Sequence, residues 1–252
     1  RETRACLDPN QKPAEVGVAV YRLGTPADVD RAVAVAQADP DGWRALPPPV
    51  RHGVLARVAR ELRRLRGDLI GAAAAGTGKL FSEADVEVSE AVDFAEYYPH
   101  AAAAITAIPT IQARGKGVGV VVSPWNFPLA IPCGGIVAAL AAGNTVVFKP
   151  SSDAVLPAWV LCQAFWQAGI SRRVLQFLPC AGGATGSHLV GHPGIDFVIL
   201  TGGTDTGLAM LRQKPGLLLA AETGGKNATV VTAMADRDQA IKNVLYSAFG
   251  NA

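Results

Sequence analysis

The stretch GVGVVVSPWNFPLAIP, residues 117–132, runs from valines into a turn crowded with rings and then into a second apolar segment. Its valine run shows no polar alternation, the pattern of a strand buried on both faces in a parallel sheet. Three prolines and a tryptophan then surround a single amide, Asn126.

Working outward from this stretch, short β-branched or apolar runs recur as NTVVFK (144–149), RVLQFL (173–178), IDFVIL (195–200), GLLLAAE (216–222) and ATVVT (228–232). Helix-length segments separate them. Strands alternating with helices predict an α/β fold, an open parallel sheet with helices on both faces. In such sheets ligands bind outside the carboxyl ends of the strands, where the chemically suggestive residues of this chain follow.

Residues 1–100 read as a mainly helical front. Thr25, Pro26 and Asp28 begin one helix that Pro40 closes. Val50, Val54, Val58, Leu62, Leu65 and Leu69 recur at three- and four-residue spacings and predict a second, amphipathic helix. SEADVEVSEAVDFAEYY reads as a third, capped by Ser82. Residues 100–117 form a connecting or oligomerisation arm, and 117–252 carry the sheet.

With 252 residues, 50% of them apolar, the chain can bury a sizeable core. No window has membrane-span length, and the polar RETRACLDPN is unlike a secretion signal, so a soluble cytoplasmic protein is expected. A net charge of +2 is too small to imply a polyanionic partner. Arg57, Arg60, Arg63, Arg64 and Arg66 read as a solvated helix face, with no nucleic-acid partner expected. Cys6, Cys133, Cys162 and Cys180 lie far apart, without metal-ligand spacing, and read as free buried thiols with no metal site.

Several residues at strand ends can carry chemistry. The rigidly framed Asn126 amide suits an oxyanion developing on a carbonyl substrate, although an asparagine among prolines is, taken alone, more often a turn residue. Lys149, ending NTVVFK, can reach nucleotide hydroxyls or phosphate, or simply face solvent. TGGTDTG places Gly202 and Gly203 before a helix whose amides can meet a phosphate. PCAGGATG, with Gly182, Gly183 and Gly186, is a similar glycine-rich turn, matching neither a P-loop nor GxGxxG. Glu222 in AETGGKN is either a partly desolvated general base or a structural carboxylate on the glycine amides.

Taken together, VSPWNFP, FKPSS, TGGTDTG and AETGGKN, in this order, resemble the aldehyde dehydrogenase superfamily from about residue 14 onward. SEAVDFAEYY and AETGGKNA look most like its glutamate-semialdehyde (pyrroline-5-carboxylate) branch of proline catabolism. The resemblance implies a Rossmann-like sheet binding NAD without GxGxxG. It makes Asn126 the oxyanion donor and Glu222 the base that activates the deacylating water, both catalytic. It implies a cofactor site of Ser123, Pro124, Trp125, Lys149, Ser151, Ser152, Gly182, Gly186, Thr201, Gly202, Gly203, Thr223 and Gly224, with Lys149 on the adenosine ribose.

Two departures stand out. Where the family carries a ribose-gripping glutamate three residues after the lysine, this chain has Ser152, followed by Asp153. A neutral serine does not repel a ribose 2′-phosphate, so NADP is expected to be tolerated as well as NAD. The family's nucleophilic cysteine is expected just beyond the helix DRDQAIKNVLYSAFGNA, a few residues past Ala252, with the catalytic domain following it.

The chain therefore reads as the cofactor-binding part of a larger, homo-oligomeric enzyme acting on a small aldehyde, inactive by itself. The alternative is a catalytically silent binding or assembly module.

Overall fold

The computed structural model describes residues 2–11 and 15–250. It opens with an antiparallel hairpin that the sequence reading does not anticipate, β1 (Thr3–Leu7) and β2 (Gly17–Arg22). Helix α1 (Pro26–Ala38) starts as expected: Thr25 accepts from the Asp28 amide, and Asp28 accepts from the Thr25 amide at 2.9 Å. It ends at Asp39, whose φ of 44° is left-handed, just before Pro40.

The single amphipathic helix expected next is two, α2 (Pro48–Arg64) and α3 (Arg66–Thr77). The backbone at Leu65 leaves helical geometry at ψ 11°, one residue before Arg66 and Gly67. Val54, Val58, Leu62, Leu65 and Leu69 are buried as the spacing requires, but Val50 is 48% exposed in the first turn. Of the arginines, Arg63 pairs with Glu96, Arg64 with Glu61 and Arg66 with Asp85, while Arg57 donates to the Ala168 carbonyl.

Helix α4 (Phe81–Thr106) starts a residue before Ser82, so Ser82 does not cap it; Leu80 holds the cap position without a side-chain bond. The preceding residue, Lys79, is drawn into the interior. The helix also continues through Pro99 to Thr106, so the expected arm is helical in its first part and irregular only from Ala107.

From there strands and helices alternate: β3 (Val118–Val122), α5 (Ala130–Ala141), β4 (Thr145–Lys149), α6 (Val155–Gln167), β5 (Leu175–Phe177), α7 (Ala184–Gly191), β6 (Phe197–Thr201), α8 (Thr204–Gln213), β7 (Leu218–Glu222) and α9 (Arg237–Phe249). The five later strands form one parallel sheet in the order β5-β4-β3-β6-β7. The chain winds outward from β3 to β5, then returns to lay β6 on the other side of β3. The direction of winding therefore reverses between β3 and β6.

Helices cover both faces. Helices α2 to α6 bury Val121, Val146, Phe148 and Leu175 on one side. Helices α1, α7 and α8 bury Val118, Val120, Val147 and Val198 on the other. The helical front is thus part of the sheet's packing. Val29, Val33 and Ala36 of α1 lie in the second of these cores, and Thr145 Oγ1 donates to the Ala36 carbonyl at 2.9 Å.

One expectation fails at the sheet's edge. ATVVT forms no strand: 228–232 has no strand partner among the described residues, and Val230 is 84% exposed. A β-branched run needs a hydrogen-bonded neighbour, and two glycines, Gly224 and Gly225, lead the chain away from β7 before one can form. Asn251 and Ala252, the expected end of the last helix, lie outside the described residues.

Candidate functional site

Because the winding reverses between β3 and β6, the loops leaving those strands diverge and leave a crevice at the carboxyl ends. A cleft of about 1010 Å³ opens there. Residues at or beyond the ends of all five strands line it: Ser123 to Asn126 after β3, Lys149, Ser151 and Ser152 at the end of β4, Gly182 after β5, Thr201 to Gly203 at the end of β6, and Glu222 to Gly224 at the end of β7. All but one of the catalytic and cofactor residues implied by the resemblance are brought together in this wall. The exception, Gly186, is buried behind it, where an added Cβ would meet Lys149 Cε at 3.7 Å.

Asn126 is half-buried, and its carboxamide makes no hydrogen bond among the described residues while it lines the cleft. Its backbone, by contrast, is held. The Lys79 ammonium donates to the Asn126 carbonyl at 2.8 Å and lies 4.0 Å from the centre of the Phe127 ring. Lys79 is also 2.9 Å from Glu87 in a buried ion pair. The other Glu87 oxygen accepts from the Leu129 and Ala130 amides at 2.7 and 2.9 Å, taking the place of a cap for α5.

Sequence reading misses both residues, although a signal exists. Glu87 falls on the buried face of α4 set by Ala84, Ala91 and Ala95, where a carboxylate needs a partner. It also misses Phe94 and Tyr98, stacked at 5.3 Å on that helix, and Gly134 and Gly135, all at the cleft. An added Cβ at Gly135 would stand 3.1 Å from Val121 Cγ1, so this glycine sets how closely α5 approaches β3.

Lys149 is half-buried at the end of β4, and burial pushes its ammonium below the usual lysine range. Its Nζ donates to the Pro150 carbonyl at 3.3 Å. Ser152 lines the cleft, whereas the neighbouring Asp153 is not part of its wall. Helix α8 begins at Thr204 beside Gly202 and Gly203, bringing its N-terminal end to the same wall.

The partial desolvation expected for Glu222 is absent: its side chain is exposed, because β7 is an edge strand open on one side. The four cysteines are free and buried, and none lines the cleft. Burial pushes the thiols of Cys133 and Cys162 far above the ordinary range. Among the described residues no group of three or more histidine, cysteine or acidic residues could hold a metal ion.

Residues 3–252 match the model of the aldehyde dehydrogenase family. The chain belongs to this family. Among similar aldehyde dehydrogenases, the 1-pyrroline-5-carboxylate dehydrogenase of Anoxybacillus flavithermus is 35% identical, over 88% of this chain and 46% of the relative. That of Geobacillus thermodenitrificans is 36% identical over the same shares. The chain thus spans about half the length of the curated relatives it matches. A Thermus 1-pyrroline-5-carboxylate dehydrogenase structure with bound NAD superposes with a TM-score of 0.91 at 34% identity, covering 99% of this chain and 52% of that one. Proline utilization A from Bdellovibrio bacteriovorus gives 0.92 at 31% identity, covering 99% of this chain and 28% of that one. Both superpositions take in the sheet and the cleft at its strand ends.

Proposed function

We propose that these residues are the NAD(P)-binding portion of an aldehyde dehydrogenase that oxidises glutamate semialdehyde to glutamate. The observation that carries this reading is the convergence of Asn126, Lys149, Ser152, Gly202 and Glu222 on one cleft at the reversal of the sheet. A dinucleotide fits this site: Lys149 offers an ammonium for the adenosine ribose, α8 presents its N-terminal amides to phosphate, and no acidic residue faces the ribose at Ser152. When bound, the nicotinamide ring supplies the hydride acceptor.

The chain's own residues do the rest. Asn126 donates its carboxamide N–H to the oxyanion formed when a thiolate attacks the aldehyde carbon. Glu222, across the cleft, accepts a proton from the water that cleaves the resulting thioester. Since the four cysteines lie off the cleft, we assign the thiolate to a cysteine outside these 252 residues, so the chain by itself is inactive. The intact enzyme is expected to be a cytoplasmic homo-oligomer; no helix among the described residues is long and apolar enough to cross a membrane.

The test is aldehyde-dependent NADH formation by the full-length protein with glutamate semialdehyde. Turnover that falls about a hundredfold or more in Asn126→Ala supports the reading, and an unchanged rate dismisses the oxyanion role. The position of the cysteines favours a second reading, a silent NAD(P)-binding module. NAD binding without turnover in the full-length protein would support it.

A further inference from the structure

Lys79 and Glu87 are 3% and 2% exposed, yet neither lines the cleft. Burying an ion pair is costly unless further hydrogen bonds satisfy both partners, and such pairs are best explained where they fix one arrangement over others. Here each partner has such a bond, and all of them converge on one loop. The cation holds the carbonyl of Asn126 itself, with Phe127 against its other side. The anion holds the amides of Leu129 and Ala130, where α5 begins. The five residues 126–130 are thereby clamped at both ends by groups more than forty positions away in the chain.

We propose that Lys79 and Glu87 are positioning residues for the oxyanion donor. By fixing the Asn126 backbone from behind, the pair leaves the carboxamide, which has no bond of its own among the described residues, aimed into the cleft. Proline framing restricts the neighbours of Asn126 but makes no contact that fixes its peptide plane; the ammonium of Lys79 does. This inference rests on the reading of Asn126 as the oxyanion donor.

The experiment is a double-mutant cycle in the full-length enzyme, reading kcat/KM for the aldehyde and, separately, the Kd for NAD. Lys79→Met keeps the aliphatic stem and removes the bond to the Asn126 carbonyl. Lys79→Met/Glu87→Gln also removes the buried charge while its amide oxygen still accepts at α5, which protects folding.

The expected result is a loss of roughly tenfold to a hundredfold in kcat/KM for both variants, with NAD affinity within about twofold of wild type and no further loss when Lys79→Met is added to Asn126→Ala. Unchanged kcat/KM, losses that multiply with those of Asn126→Ala, or loss of NAD binding in both variants would overturn the proposal. Wild-type protein without turnover, or Asn126→Ala with full activity, would instead strike at the underlying reading of the site.

Discussion

Lys79 Nζ and Glu87 Oε2 face each other at 2.9 Å, with the two side chains 2% and 1% exposed. Removing one partner of a buried pair leaves an uncompensated charge, and here it also uncaps α5. Glu87→Ala is therefore expected to lower the unfolding free energy by about 3–5 kcal/mol in urea titration. A loss below about 1 kcal/mol, the worth of an exposed pair, would mean that the contact contributes little.

Gly119 of β3 lies opposite Phe197 of β6, and an added Cβ would fall 2.3 Å from the Phe197 ring. That ring is 7% exposed in the core and has little room to retreat. Gly119→Ala should cost about 1–3 kcal/mol by overpacking, seen as a lowered Tm. An unshifted Tm would show that the strands can part without penalty.

Ser152 lines the cleft, and on the proposed cofactor placement a carboxylate there would repel a ribose 2′-phosphate. Ser152→Glu is expected to weaken NADP binding by about tenfold or more while leaving NAD binding equal or tighter, as measured by paired calorimetric titrations. Equal changes for the two cofactors would remove Ser152 from the discrimination.

Burial favours the neutral form of Lys149, so it loses its proton at a lower pH than an ordinary lysine. Between its folded value and the unfolded one the unfolded chain binds more protons, so this residue's contribution to stability rises with pH. Cofactor affinity should run the other way, weakening on the alkaline side before an exposed lysine would titrate. Lys149→Arg keeps its charge and should flatten that profile; an alkaline loss of the same size in the variant would assign the titration to another group.

The sheet was legible because buried parallel strands write themselves as unbroken apolar runs, as at 118–122 and 145–149. The strand-end part of the cleft wall was legible for the same reason, since those residues end such runs or follow them within a few positions; its helix-borne residues, Phe94, Tyr98, Gly134 and Gly135, were not. Edges and long-range contacts were less so. ATVVT has strand composition but no partner, and Glu222 stands on an edge strand that leaves it exposed. Leu65 keeps its place in the apolar stripe across a helix break, so periodicity passed over it. The Lys79–Glu87 clamp joins residues to a loop more than forty positions away, and no local pattern encodes that meeting.

The proposed function requires the cleft at the strand ends to bind a nicotinamide dinucleotide. The decisive measurement is titration of the protein with NAD followed by tryptophan fluorescence, in which Trp125, 46% exposed, is the one of the four tryptophans on the cleft, with Lys149→Ala as the control. Saturable quenching that weakens by about tenfold or more in the variant is the expected result. No saturable response, or the same affinity with and without Lys149, would contradict it.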